Sequence, residues 1–193
     1  MTAQLRQQRY YTFDEYLLLE EKADFKHEYL NGKIKLMAGA SLSHQRIITS
    51  LIITLGGLLD DDMYDILGSD LKTYSSKYNK SRYPDVFVIK GEPEFYNTKT
   101  QSVVINPKVV FEVLSKSTAK ADKTEKFEEY KSLATFEEYV LVEQSKPQVT
   151  VHTKEADGTW TNKITTDLQE SIQLRALGIA MPMQRIYRKI NFE

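Results

Sequence analysis

The sequence predicts an α+β fold, a mixed central sheet with a helix on either side, and three observations carry that prediction. Val86-Phe87-Val88-Ile89 and Val109-Val110-Phe111-Glu112-Val113-Leu114 are apolar at both odd and even positions, so each reads as a strand covered on both faces. Apolar residues at 47, 48, 51, 52, 55, 58 and 59 recur at helical spacing between Ser43 and Leu59. A second helical stretch, from about Ala121 to Leu133, follows the Val109 strand and leads to another apolar strand at Glu138–Glu143.

In chain order, Thr12-Phe13-Asp14-Glu15 has the form of a capping box and opens a short structural helix. Asn31-Gly32 between Phe25–Leu30 and Lys33–Met37 is a hairpin signal, because a type I′ turn needs positive φ at both central residues. That register sets His27 opposite Leu36, Glu28 opposite Lys35 and Tyr29 opposite Ile34. The Ser43 helix comes next and is weakened at its end by Gly56-Gly57. Residues 71–90 read as a basic, tyrosine-bearing loop running into the Val86 strand, and 92–102 as a polar surface insertion. In the helix after the Val109 strand, Asp122, Lys126 and Tyr130 are four apart and share a face. Beyond Pro147, Val149–His152, the Asp157-Gly158 turn and Trp160 onward form an antiparallel hairpin; a short strand, Pro182 and a brief helix close the chain.

A length of 193 residues, with 41% hydrophobic and 27% charged, fits one domain spanning 1–193. Twenty-six basic against 27 acidic residues leave a formal charge of −1, which excludes a protein that coats nucleic acid through its overall field but leaves a local basic face open. With no cysteine, disulfides, thiolate metal sites and thiol nucleophiles are excluded. The opening from Met1 to Arg9 lacks the apolar core of a signal peptide, and the longest apolar stretch, near Ile47–Leu59, is too short to span a bilayer; a cytoplasmic protein is expected. No internal repeat, Gly-rich phosphate loop, Ser/His/Asp arrangement or zinc-spaced His cluster is found.

Chemistry enters with two acids set in apolar strands. An ionised carboxylate out of water needs a partner or a shifted pKa, so Glu112 calls for a cation; alone it would be explained by a salt bridge to a lysine or by a position at the sheet's end. Asp85, just behind Pro84, repeats the pattern. On neighbouring strands the two can offer oxygens to one hard divalent cation, Mg²⁺ or Mn²⁺, the arrangement used in phosphodiester hydrolysis.

Pro84-Asp85, an acid inside a following apolar strand and a nearby lysine resemble the signature of the PD-(D/E)XK nuclease superfamily. Within it, Tyr83-Pro84-Asp85-Val86, Phe111-Glu112-Val113-Leu114-Ser115-Lys116-Ser117-Thr118, Glu138–Val142, Ser69-Asp70-Leu71, and Glu28–Ile34 followed by Met37–Ser41 and His44 resemble successive blocks of the Uma-two family of putative restriction endonucleases, over nearly the whole chain. The resemblance implies a restriction-endonuclease-like core and Mg²⁺-dependent cleavage of DNA. It departs from the superfamily pattern at Leu114, where a lysine is expected; Lys126 fits the family's Asp-x-x-x-Lys pattern with Asp122, and Lys123 is the fallback. It implies Asp85 and Glu112 as catalytic metal ligands, with the Val113 carbonyl as a further one, and Lys126 as the catalytic cation. Glu28 is either a third metal ligand or the cross-strand partner of Lys35.

Residues 71–90 carry Lys72, Lys77, Lys80, Arg82 and Lys90 against one acid, Asp85, so Lys72, Lys77, Lys80 and Arg82, together with His44 at its helix start, are the candidate nucleic-acid contacts. The expected partners are nucleic acid, DNA first, and no membrane, with a homodimer left open. Three rivals stand: a metal-free nucleic-acid-binding module, an inactive nuclease-fold protein serving in assembly, and a nuclease acting on RNA or on damaged or branched DNA.

Overall fold

The computed structural model describes residues 9–97, 99–115 and 117–192, so the opening Met1 to Gln8 and Lys116 lie outside the described residues. Helix α1 (Phe13–Glu20) begins at Thr12, whose side chain accepts from Glu15 N–H while the Glu15 carboxylate accepts from Thr12 N–H, the reciprocal capping box. Strands β1 (His27–Leu30) and β2 (Lys33–Leu36) pair through Asn31-Gly32, whose φ values of 48° and 87° are those of a type I′ turn, with Glu28 opposite Lys35. Ser41 caps α2 (Leu42–Gly56) by accepting from His44 N–H.

Strand β3 (Tyr64–Gly68) is followed by β4 (Lys72–Ser75) and β5 (Lys80–Arg82). The basic stretch is therefore a hairpin of two strands and not a loop. Then come β6 (Val86–Lys90), β7 (Val103–Val104) and β8 (Val109–Leu114). The helical stretch after β8 is divided in two, α3 (Ala119–Lys123) and α4 (Glu125–Lys131), by Thr124 at φ −129°, ψ −80°. Strands β9 (Glu138–Glu143), β10 (Val149–Lys154), β11 (Trp160–Thr165), β12 (Ser171–Leu174) and β13 (Ile179–Pro182) precede the short α5 (Met183–Ile186).

The main sheet has the order β11-β10-β9-β8-β6-β3 and is mixed: β8 and β9 run parallel, and the other pairs are antiparallel. A parallel pair needs a crossover, and here α3 and α4 supply it. A second sheet, β2-β1-β5-β4-β7, and the β12-β13 ribbon complete the architecture.

Both faces of the main sheet are covered, which is why its central strands do not alternate in polarity. On one face Ile47, Ile48, Leu51 and Leu55 of α2 pack on Val86, Val88, Val109, Phe111 and Val113. On the other, Tyr130 of α4 joins Leu133 and Phe136 against Phe87, Ile89, Val110 and Leu114. Fully burying a side chain of this size stabilises by about 1.5–3 kcal/mol, so the two helices are fixed to the sheet chiefly by these contacts. Among the described residues no helix is long and apolar enough to cross a membrane.

Candidate active site

Asp85 immediately precedes β6, and the antiparallel register Val86↔Phe111, continued by one residue, brings it opposite Glu112. Directly opposed residues of an antiparallel pair project to the same side. The Asp85 carboxylate is tied down by Val113 N–H, which donates to its Oδ2 at 2.7 Å, and by His44 Nε2 at 3.2 Å from the same oxygen. His44 thus meets an acid of the site. Burial favours its neutral ring, but Asp85 and a backbone contact at Val113 outweigh that and raise its pKa.

Glu112 is 3% exposed, in the middle of the apolar β8. Its Oε1 accepts from the Tyr130 hydroxyl at 2.9 Å and lies 3.1 Å from Lys126 Nζ. Lys126 Nζ is also 2.8 Å from Asp122 Oδ1, an ion-pair contact off the line of a good hydrogen bond, since that oxygen has no hydrogen-bond partner. Asp122 and Lys126 lie on different helical segments, α3 and α4, and both are buried, at 1% and 7% exposure.

Burial pushes the Glu112 carboxyl well above the usual range; Lys126 opposes this, while Asp122 and Asp85 add to it. Burial pulls the Lys126 ammonium down, but Glu112 and Asp122 overcome it and hold the group protonated. The pair is therefore a firm cation beside a carboxyl that resists ionisation, first because it is buried and then because two other acids lie near.

Among the described residues, Glu112 Oε2 and Asp85 Oδ1 receive no hydrogen bond from the protein, while Oε1 and Oδ2 are fully engaged. Each acid keeps one hard oxygen free. No three His, Asp or Glu side chains among the described residues converge to form a closed metal cage. A two-carboxylate set fits Mg²⁺, which retains several waters and needs only one or two acids from the protein.

Comparison with known proteins gives the family and the fold. The profile of the Uma2 family, described as putative restriction endonucleases, matches residues 13–184. The chain belongs to the Uma2 family. Its relatives include two uncharacterized proteins of Synechocystis sp. (strain PCC 6803): sll1609, 38% identical over 77% of this chain and 84% of its own length, and slr1290, 31% identical over 93% and 92%. The crystal structure of a putative nuclease of the DUF820 group from Anabaena variabilis superposes with a TM-score of 0.74 at 15% identity, covering 92% of this chain and 97% of that one, and shows the shared nuclease-like fold.

The remaining candidates of this Uma2 chain lie elsewhere. Glu28 neither pairs with Lys35 nor joins Asp85 and Glu112: its Oε2 is 2.9 Å from Arg82 Nη1. Arg82, expected as a nucleic-acid contact, is 3% exposed and forked onto Glu129, with Nε to Oε2 at 2.7 Å and Nη2 to Oε1 at 2.8 Å. Lys80 also binds Glu129, at 2.8 Å. Lys72 is buried with its ammonium on the Tyr83 hydroxyl at 3.2 Å, and burial lowers its pKa. Of that group only Lys77 is exposed, lying over the Tyr78 ring. Lys123, the fallback cation, pairs with Glu143 at 2.9 Å.

Asp122 is the residue that sequence reasoning undervalued, naming it only for its spacing from Lys126 and not as a member of the site. Its four-residue spacing from Lys126 was visible; its burial was not, because α3 presents no apolar stripe of its own.

Proposed function

We propose that the protein is a divalent-metal-dependent endonuclease that hydrolyses DNA phosphodiester bonds at the Asp85/Glu112/Lys126 cluster. The observation that carries this reading is the charge of the cluster. Glu112 and Asp122 touch the one buried ammonium of Lys126, Asp85 stands opposite Glu112 beside His44, and Glu112 and Asp85 each keep a free oxygen. Buried charge without compensation costs several kcal/mol, and a divalent cation compensates it.

Asp85 and Glu112 would hold Mg²⁺ or Mn²⁺, with the Val113 carbonyl a further ligand; Glu28 is left to Arg82. Such an ion supplies positive charge beside the scissile phosphate and lowers the pKa of water. Val113 N–H and His44 fix Asp85, so only one of its oxygens is left to turn outward. Tyr130 fixes Glu112 in the same way. Lys126, kept cationic by Glu112 and Asp122, orients the attacking water or stabilises charge growing on the phosphate. Leu114, where the superfamily carries its lysine, favours the rival reading of an inactive nuclease fold.

Metal-titrated cleavage of labelled single-stranded, duplex and branched DNA, with matched RNA, separates the two. Mg²⁺-dependent products that vanish in Asp85→Ala and Glu112→Ala support the proposal. No cleavage of any substrate by a folded wild type in Mg²⁺ or Mn²⁺ sinks it and leaves the inactive fold.

A further inference from the structure

The stretch that looks basic in sequence has its cations largely committed, so a nucleic-acid backbone needs another surface. We infer that Arg46, Arg188 and Lys189 form a contact surface for the phosphodiester backbone, in a cleft between α2 and the chain that follows α5. The inference rests on the endonuclease reading and extends it to how the substrate is held.

The cleft has a volume of about 350 Å³ and is bordered by these three cations with Gln45, Thr49 and Ser50 among its polar walls. Arg46, Arg188 and Lys189 are exposed, and none pairs with a carboxylate among the described residues, unlike Lys80, Arg82, Lys123 and Arg175. The Arg46 guanidinium instead reaches the Lys189 carbonyl at 3.3 Å, joining the two walls while most of its N–H groups stay free. In a chain of net charge −1, three unneutralised cations on one cleft are a local field suited to a polyanion.

The cleft also lies at the correct end of the sheet. Ser41, the cap of α2, donates to Gln144 Oε1 at 2.7 Å, and Gln144 Nε2 donates to the Leu114 carbonyl at 2.8 Å, at the end of β8 where Glu112 sits. The opposite wall is anchored at the same end, because the Tyr187 hydroxyl donates to the Gln148 carbonyl at 2.7 Å and accepts from Gln148 N–H at 3.0 Å, just past β9. His44, which contacts Asp85, and Arg46 are two residues apart on α2, about 3 Å along its axis but on different faces, His44 on the side towards the sheet and Arg46 on the side of the cleft. A backbone with one phosphate at Asp85/Glu112 would reach these cations by passing round the N-terminal end of α2.

The test is fluorescence anisotropy of labelled duplex and single-stranded DNA across a salt series, in EDTA and again with Mg²⁺ in a Lys126→Ala background that keeps the probe whole. Arg46→Ala and the double variant Arg188→Ala/Lys189→Ala should weaken binding alike for unrelated sequences. The slope of log K against log salt should become shallower by about 0.9 for each duplex phosphate contact removed. Melting temperatures should hold, since the residues are exposed. Wild-type binding that survives all three substitutions with unchanged slope, or that Lys77→Ala weakens instead, overturns the inference while leaving the endonuclease reading intact. No nucleic-acid binding by wild type in EDTA or by the Lys126→Ala protein in Mg²⁺ overturns both.

Discussion

Helix α4 contributes to two buried ionic clusters built on opposite principles. Glu129 faces Arg82 and Lys80, and Arg82 reaches on to Glu28, so two cations meet two buried acids with bidentate geometry and little left over. Three residues earlier on the same helix, Lys126 faces Glu112 and Asp122, with Asp85 close by, and the acids outnumber the lysine. The first cluster is closed. It joins β1, β5 and α4 and needs nothing from outside. The second is open: Glu112 Oε2 and Asp85 Oδ1 accept no hydrogen bond among the described residues, which is the room the proposed divalent cation would use. Buried charge as such does not distinguish the two clusters; a buried acid with an oxygen left free does.

The comparison breaks most sharply at Arg82. Removing one partner of a buried ion pair strands the other, at a cost of about 3–5 kcal/mol, so Arg82→Ala should lower stability by about that much in urea or thermal unfolding. Arg82→Lys should recover part of it, because an ammonium keeps the charge but not the fork. An Arg82→Ala protein as stable as wild type would mean that the closed cluster is not structural.

Next in size, Lys126→Ala should lose about 10²-fold or more in cleavage rate, the scale of one group that stabilises developing charge, with little change in DNA affinity. Turnover at the wild-type rate would remove Lys126 from the mechanism.

The open cluster should respond to metal as the closed one does not. Mg²⁺ at a hundred times its dissociation constant should stabilise the native state by about 2.7 kcal/mol, and Glu112→Gln should abolish that gain. In EDTA the same Glu112→Gln protein should be no less stable than wild type, since its carboxyl is pushed up by burial and neighbouring acids and its ionised form is disfavoured by folding. A melting temperature indifferent to Mg²⁺ would count against a metal site.

The smallest effect is on acid stability. Burial pushes Glu129 up, but Arg82 and Lys80 more than offset it and hold its pKa below the ordinary value. The resulting stabilisation is complete above the unfolded value of about 4.3 and is lost as pH falls through the lower folded value. Glu129→Gln should flatten the acid limb of the stability profile below pH about 4. An unchanged limb would assign acid unfolding to other carboxylates.

The open cluster was more legible than the closed one. An acid inside Val-Val-Phe-Glu-Val-Leu is conspicuous because the apolar neighbours announce its burial, and the spacing of Asp122, Lys126 and Tyr130 aligned them before any coordinates. Arg82 was hidden because Lys-Ser-Arg has no apolar alternation; its burial comes from the facing β1 and α4, which no local pattern encodes. The same blindness made β4 and β5 read as a loop. The break at Thr124 also left no mark, since neither glycine nor proline stands there.

The parallel pairing of β8 with β9 bears on when the site can exist at all. Glu112 lies on a strand bonded on one side to β6 and on the other to residues 138–143, and a parallel partner is reached only after the whole crossover has been made. During synthesis Asp85, Glu112 and Lys126 are all on the growing chain well before Glu143 is added, yet β8 has only one neighbour to hold it flat. Non-local pairing of this kind forms late. Any reactivity of the cluster would thus wait until β9 has paired with β8 and the sheet is closed.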